Sequence, residues 1–197
     1  SSVYSRVSMG ANGASAVVWG YSGSLYMQRL TSDGQRVWHN DLQIASVDSR
    51  GIAVSELTSG DVLVAWRSAD GFLYAQQVDE GAGVLWPEPL RVNEKGTAVY
   101  WYSIGMSIAP TGQIAVAWVD DRTLDQDIYL QQFTTDRQIV WGADRRINSA
   151  SGAAAQVAPD IVTGPGYHVL SWIDFRNTGD VYLQKLDDTG AYLWSND

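Results

Sequence analysis

Two stretches of this sequence place a carboxylate, an arginine and a second carboxylate in the same order. Asp120, Arg122 and Asp127 form the first set; Asp174, Arg176 and Asp180 form the second. Three chemistries fit such groups. A carboxylate grips a guanidinium through paired, charge-assisted hydrogen bonds, so the groups could clamp the two ends of a loop. Asp120, Asp125 and Asp127, with Asp121 beside them, could supply oxygens to a hard cation such as Ca2+. The glycine and the closing glutamate of an EF-hand loop are missing from this spacing. Arg122 and Arg176 could also take a ligand. Earlier in the chain the same places read Gly20-Tyr21-Ser22-Gly23 and Arg67-Ser68-Ala69-Asp70-Gly71.

A second candidate is the aromatic run Tyr100-Trp101-Tyr102. Clustered aromatic side chains at a surface mark binding sites, including platforms on which sugars stack. The other reading is that they fill a seam between packed sheets. Signs of catalysis are few. The two histidines, His39 and His168, are far apart in sequence, which argues against a histidine zinc site. Twenty-two acidic residues leave room for the carboxylate pair of a glycosidase, but no spacing singles one out. Gly10-Ala11-Asn12-Gly13 and Gly81-Ala82-Gly83 read as turns, because no helix follows to make a phosphate loop.

The elements that must position these residues are repeats. Trp19, Trp66, Trp118 and Trp172 are spaced by 47, 52 and 54 residues. Tyr26, Tyr74, Tyr129 and Tyr182 follow with spacings of 48, 55 and 53, and Trp38, Trp86, Trp141 and Trp194 repeat those same three intervals. Gln28, Gln76, Gln131 and Gln184 stand two places after each tyrosine. Three series that move together imply one unit used four times. Trp101 is the one tryptophan outside the repeat. Within a unit the residues read as short strands. In the third, Ser103–Ala109 is the first strand and Ile114–Val119 an apolar second. Ile128–Phe133 is the third, with Ile128, Leu130 and Gln132 on one face and Tyr129, Gln131 and Phe133 on the other. Arg145-Arg146-Ile147 is a short fourth. Essentially no helix is predicted.

Units of about 50 residues with four short strands have the size of one blade of a β-propeller. The expected fold is therefore all-β, with four blades at about 1–47, 48–96, 97–152 and 153–197, forming one repeat domain or part of a larger ring. The recurring Trp and Tyr are expected to pack between blades. The fourth unit stops soon after Trp194 and lacks the last strand piece of the others. That predicts association through the incomplete blade, as a homo-oligomer or a larger assembly.

The motifs Trp118-Val119-Asp120-Asp121-Arg122, Asp127-Ile128-Tyr129-Leu130-Gln131 and Val140-Trp141-Gly142 resemble the repeats of large secreted bacterial β-propeller proteins. Trp172-Ile173-Asp174-Phe175-Arg176 and Asp180-Val181-Tyr182-Leu183-Gln184 carry the same pattern. The resemblance extends to sialidase-like and lectin-like propellers and implies handling of glycans, although the sialidase Asp-box is missing here. It also implies a secreted or cell-surface protein.

Composition narrows the function further. Cysteine is missing, which excludes disulfides, thiolate catalysis and cysteine zinc sites. A net charge of −9 opposes nucleic acid and anionic membranes as partners. No segment has the ~20 apolar residues of a membrane span. The chain opens without a visible leader, so an exported protein is read here in its mature form. The leading expectation is a non-enzymatic extracellular binding or scaffold module for a glycan or protein partner. A sialidase-like glycoside-processing enzyme and a purely structural subunit of a surface assembly are the alternatives.

Overall fold

In the computed structural model, residues 4–46, 50–98, 104–149 and 154–195 are described. They form four antiparallel sheets in chain order. The first holds β1 (Tyr4–Met9), β2 (Ser15–Tyr21), β3 (Ser24–Leu30) and β4 (Leu42–Ala45). The second holds β5 (Arg50–Glu56), β6 (Val62–Arg67), β7 (Leu73–Val78) and β8 (Leu90–Arg91). The third holds β9 (Gly105–Ile108), β10 (Ile114–Asp120), β11 (Asp127–Phe133) and β12 (Arg145–Arg146). The fourth has three strands, β13 (Gln156–Gly164), β14 (Tyr167–Asp174) and β15 (Asp180–Asp187). The all-β expectation and the four blades stand, and the fourth blade is the one with fewer strands. Among the described residues there is no α-helix, but a 3-10 turn over Phe175–Asn177 interrupts the expected run of pure strand. Asp174 caps it, accepting a hydrogen bond from the Arg176 N–H at 2.8 Å.

Each blade is a meander, with every strand paired to its chain neighbour. Gly60 and Gly112 adopt φ of 91° and 87° in the turns before β6 and β10, a left-handed geometry that a side chain resists. Trp19, Trp66, Trp118 and Trp172 lie directly across from Tyr26, Tyr74, Tyr129 and Tyr182. The four ring pairs stack at centroid distances of 6.0, 6.1, 6.2 and 6.4 Å. This offset stacking fixes register, because a slip by one residue would send each ring to the opposite face.

The core lies between blades. Ala16, Val18, Leu25, Met27 and Trp38 of the first blade pack on Ile52, Val62, Val64, Trp66 and Val78 of the second. Leu63, Leu73 and Trp86 meet Ile114, Val116, Trp118, Tyr129 and Phe133 in the next joint. Ala115, Ala117, Val119, Ile128, Leu130 and Trp141 meet Ile161, Leu170, Trp172 and Leu186 in the third. The predicted two faces of β11 are thus both buried, one against each neighbouring blade. Among the described residues no hydrogen bond joins the fourth sheet to the first.

The glutamine series has a structural task. Gln76 donates from Nε2 to the Trp86 carbonyl at 3.1 Å and accepts from the Trp86 N–H at 3.2 Å. Gln28 does the same with Trp38, at 3.2 and 3.1 Å. Gln131 donates to the Trp141 carbonyl at 3.3 Å. The amide satisfies both backbone groups of a tryptophan that has left the sheet ladder.

Two substitutions test this packing by chemical denaturation. Trp141→Ala is expected to cost about 3–5 kcal/mol, as for a large core side chain. Gln76→Ala is expected to cost about 1–3 kcal/mol, because it strands the buried backbone groups of Trp86.

Candidate functional site

The meander sorts the loops between two ends of the blades. The loops after β2, β6, β10 and β14 lie at one end, together with the connections from each blade to the next. Those connections hydrogen-bond to the loops: Asp121 N–H donates to the Thr97 carbonyl at 3.1 Å, Gln156 N–H to Gln126 at 2.7 Å, and Phe175 N–H to Ala155 at 3.0 Å. Arg122, Arg176, Asp120, Asp125 and Asp127 all stand at this end. Tyr100, Trp101 and Tyr102, between β8 and β9 in the sequence, lie outside the described residues.

Asp120 closes β10 and is fully buried. Arg122 meets it side-on, with Nε at 2.9 Å from Oδ1 and Nη2 at 2.7 Å from Oδ2. Trp118 Nε1 donates to Oδ2 at 2.9 Å, Thr97 Oγ1 to Oδ1 at 2.7 Å, and the Arg122 N–H to Oδ1 at 3.0 Å. Burial alone would raise the Asp120 pKa, but these donors outweigh it and hold the carboxyl below its ordinary value. The guanidinium lies 4.2 Å from the Tyr129 ring centroid and donates a further bond to Asp144 Oδ2 at 2.8 Å. Burial would lower the Arg122 pKa; Asp120 and Asp144 raise it instead. The fourth blade repeats the unit. Arg176 Nε and Nη2 reach Asp174 Oδ2 at 2.9 and 2.6 Å, and its guanidinium covers Tyr182 at 4.3 Å. Asp174 is likewise held low, since the bonds from Arg176 and Gln156 exceed the opposing effect of burial.

The clamp reading of the sequence expected Asp127 to be the second grip on Arg122. The structure corrects this: the second carboxylate is Asp144, from the segment before β12. Asp127 sits opposite Asp120 in the ladder but turns to other partners. It accepts from Thr123 Oγ1 at 2.5 Å and Asn148 Nδ2 at 2.8 Å, and pairs with Arg146 at 3.0 Å. Asp125 is half-buried in the loop. Among the described residues no three His, Asp or Glu side chains are grouped to hold a metal ion. His168 is buried between the third and fourth blades beside Gln132 and Thr163, where burial lowers its pKa, and His39 is exposed.

Asn93 and Asn148 are buried structural ties at this end that the residue types did not single out. Asn93 Oδ1 accepts from the Leu73 N–H at 2.7 Å, and Asn148 Oδ1 from the Ile128 N–H at 2.8 Å. Each buried amide ties the start of a third strand to the connection leading to the next blade. The signal was present, since both stand seven places after the tryptophans Trp86 and Trp141.

Neither a protein-family model nor a curated protein matches this sequence. Solved structures do. An ulvan lyase of polysaccharide lyase family PL25, bound to -[GlcA(1-4)Rha3S]-, superposes with a TM-score of 0.64 at 10% identity, over 94% of this chain and 55% of its own. An endo-1,4-β-xylanase from Bacteroides thetaiotaomicron gives 0.55 at 13% identity, over 98% and 72%. An α-L-arabinofuranosidase from Clostridium thermocellum gives 0.54 at 12% identity, over 95% and 69%. The likeness is one of fold. The chain is a β-propeller. It spans about half the length of the ulvan lyase. No helix among the described residues is long and apolar enough to cross a membrane.

Asp120→Ala leaves Arg122 buried with one grip lost and is expected to cost about 3 kcal/mol in urea unfolding. Because the folded pKa of Asp120 lies below the unfolded one, its stabilisation is complete above the unfolded value, about 4, and fades as pH falls through the folded value. Stability should drop on acidification below about pH 4, and Asp120→Asn should flatten that drop.

Proposed function

We propose that this propeller is a non-catalytic extracellular module that binds a neutral glycan at the blade end carrying the β10–β11 and β14–β15 loops. The observation that carries the reading is the state of the carboxylates there. Asp120 and Asp174 are buried, bound by Arg122 and Arg176, and held below the ordinary carboxylate range. A glycosidase needs one carboxyl held above that range, so that it stays protonated as general acid beside a second, ionised one. These two are pushed the opposite way, so neither is poised as the general acid of a glycosidase.

Carbohydrate as the partner class rests on fold analogy with the xylanase, the arabinofuranosidase and the ulvan lyase. The net charge of −9 favours an uncharged polysaccharide over a polyanion. Arg176, with 24% of its side chain exposed, is the guanidinium assigned to the sugar, together with Tyr100, Trp101 and Tyr102. Flat rings take the apolar face of a sugar, and N–H groups take its hydroxyls. Arg122, with 9% exposed, acts by holding the loop shape.

Affinity electrophoresis in gels containing xylan or arabinan tests this. The chain should be retarded without releasing reducing ends. Trp101→Ala and Arg176→Ala should each weaken retention at least about tenfold, or ~1.4 kcal/mol. Release of reducing sugar, or mobility unchanged by either neutral polysaccharide, would overturn the reading.

A further inference from the structure

The three joints between blades are copies of one another, and each has a giving side and a receiving side. The giving side is a blade's aliphatic face plus the indole that follows its third strand. The receiving side is the Trp–Tyr face of the next blade. The indole also makes the same hydrogen bond every time. Trp38 Nε1 donates to the Glu80 carbonyl at 2.8 Å, Trp86 Nε1 to Thr135 at 3.1 Å, and Trp141 Nε1 to Asp188 at 3.0 Å. Each acceptor stands two residues after the apolar end of the next blade's third strand: Val78, Phe133 or Leu186.

Among the described residues two sides of this kind have no blade against them, one at each end of the row. On the fourth blade the register places Val169, Ser171, Ile173, Val181 and Leu183 where the third blade has Ala115, Ala117, Val119, Ile128 and Leu130. Val162, opposite Val169, is 62% exposed, Val181 68% and Leu183 47%. A groove of about 160 Å³ runs among Val162, Val169, Ser171 and Leu183. Trp194, the fourth indole of the series, is 42% exposed, whereas Trp38, Trp86 and Trp141 are 8%, 6% and 7%. On the first blade, Val17, Trp19 and Tyr26 stand where the second has Val64, Trp66 and Tyr74. Val7, across from Val17, is 67% exposed, and Met9 on the same face is 74%. Trp19 is half-buried, while Trp66, Trp118 and Trp172 are fully buried.

We propose that the fourth blade of one chain seats on the first blade of a second copy, repeating head to tail the joint that the chain makes three times within itself. This chain itself carries the matching half of that joint: the Trp–Tyr face of its first blade. Its Leu30 ends the third strand of the first blade, so the acceptor two places on is the carbonyl of Ser32, which is exposed. Trp194 Nε1 donates to that carbonyl across the contact. The new joint is more apolar than the first internal one. There Arg29 pairs with Glu56; here Lys185 and Met9 hold the corresponding places, and Lys185 covers the Tyr167 ring at 4.1 Å. A heterologous contact of this kind closes into a ring if the rotation allows and otherwise extends as a filament.

The test uses light scattering of the whole chain and two surface variants. V181E/L183E blocks the giving side, and V7E/M9E blocks the receiving side. All four positions are exposed, so both variants should keep the circular dichroism and unfolding midpoint of the parent. The parent should associate with rising concentration to a mass at least twice that of one chain. Each variant alone should stay at one chain mass. An equal mixture of the two should give a 1:1 pair and nothing larger, since it holds one open side of each kind. A parent that remains at one chain mass would overturn the proposal, whether the free faces close on each other within the chain or bind something else. So would association of either variant alone, or a mixture that stays unpaired.

Discussion

No blade of this chain can bury both of its faces alone, and the contact that solves this is the insertion of one blade's indole into the next. Trp38, Trp86 and Trp141 leave the strand ladder, cross the seam and donate to a backbone carbonyl in the neighbouring blade. The crossing is costly for a backbone, because a residue that leaves its sheet strands its own N–H and C=O. The buried glutamine of the third strand removes that cost by bonding both groups of Trp38 and Trp86 and the carbonyl of Trp141. The repeated Trp, Tyr and Gln therefore act as one device. The Trp–Tyr stack sets register, the glutamine frees the indole, and the indole locks the joint.

The polar end of the blades follows from the same packing. Strands β10 and β11 are buried along their whole length, so the loop between them begins and ends in a dry environment. A carboxylate at each strand end must then be ionised and fully hydrogen-bonded, or it must be protonated. Asp120 takes Arg122, Trp118 and Thr97, and Asp127 takes Asn148, Arg146 and Thr123. This produces a rigid, presatisfied rim.

Much of the fold was legible in the sequence because the repeat is written in large side chains. Tryptophan spacing pointed to four blades, and the missing strand piece after Trp194 foretold a last sheet with fewer strands. The two faces of β11 followed from simple alternation. What stayed hidden depends on distance in space rather than in sequence. The glutamines were visible as a series, but their partners lie ten residues away across a turn. Asp144 was not readable as the second grip on Arg122, because it lies 22 residues on and reaches the guanidinium only after β11 has folded back. Asp127 had the closer spacing and went elsewhere because Arg146 and Asn148 arrive beside it. Asn93 and Asn148 carried a periodic signal that their common residue type obscured. The tryptophans also divide in a way that composition cannot express: equal in sequence, Trp141 is buried and Trp194 exposed, since among the described residues only Trp141 has a blade packed against it.

The central claim is that indole insertion holds the blades together. Hydrogen exchange at the indole N–H groups, followed by NMR with resonances assigned through single Trp→Phe variants, tests it directly. If the joints carry the fold, the N–H groups of Trp38, Trp86 and Trp141 exchange only on cooperative unfolding, with protection that tracks global stability. Exchange of these three at the rate of a solvent-exposed indole, in a chain whose strand amides stay protected, would contradict it.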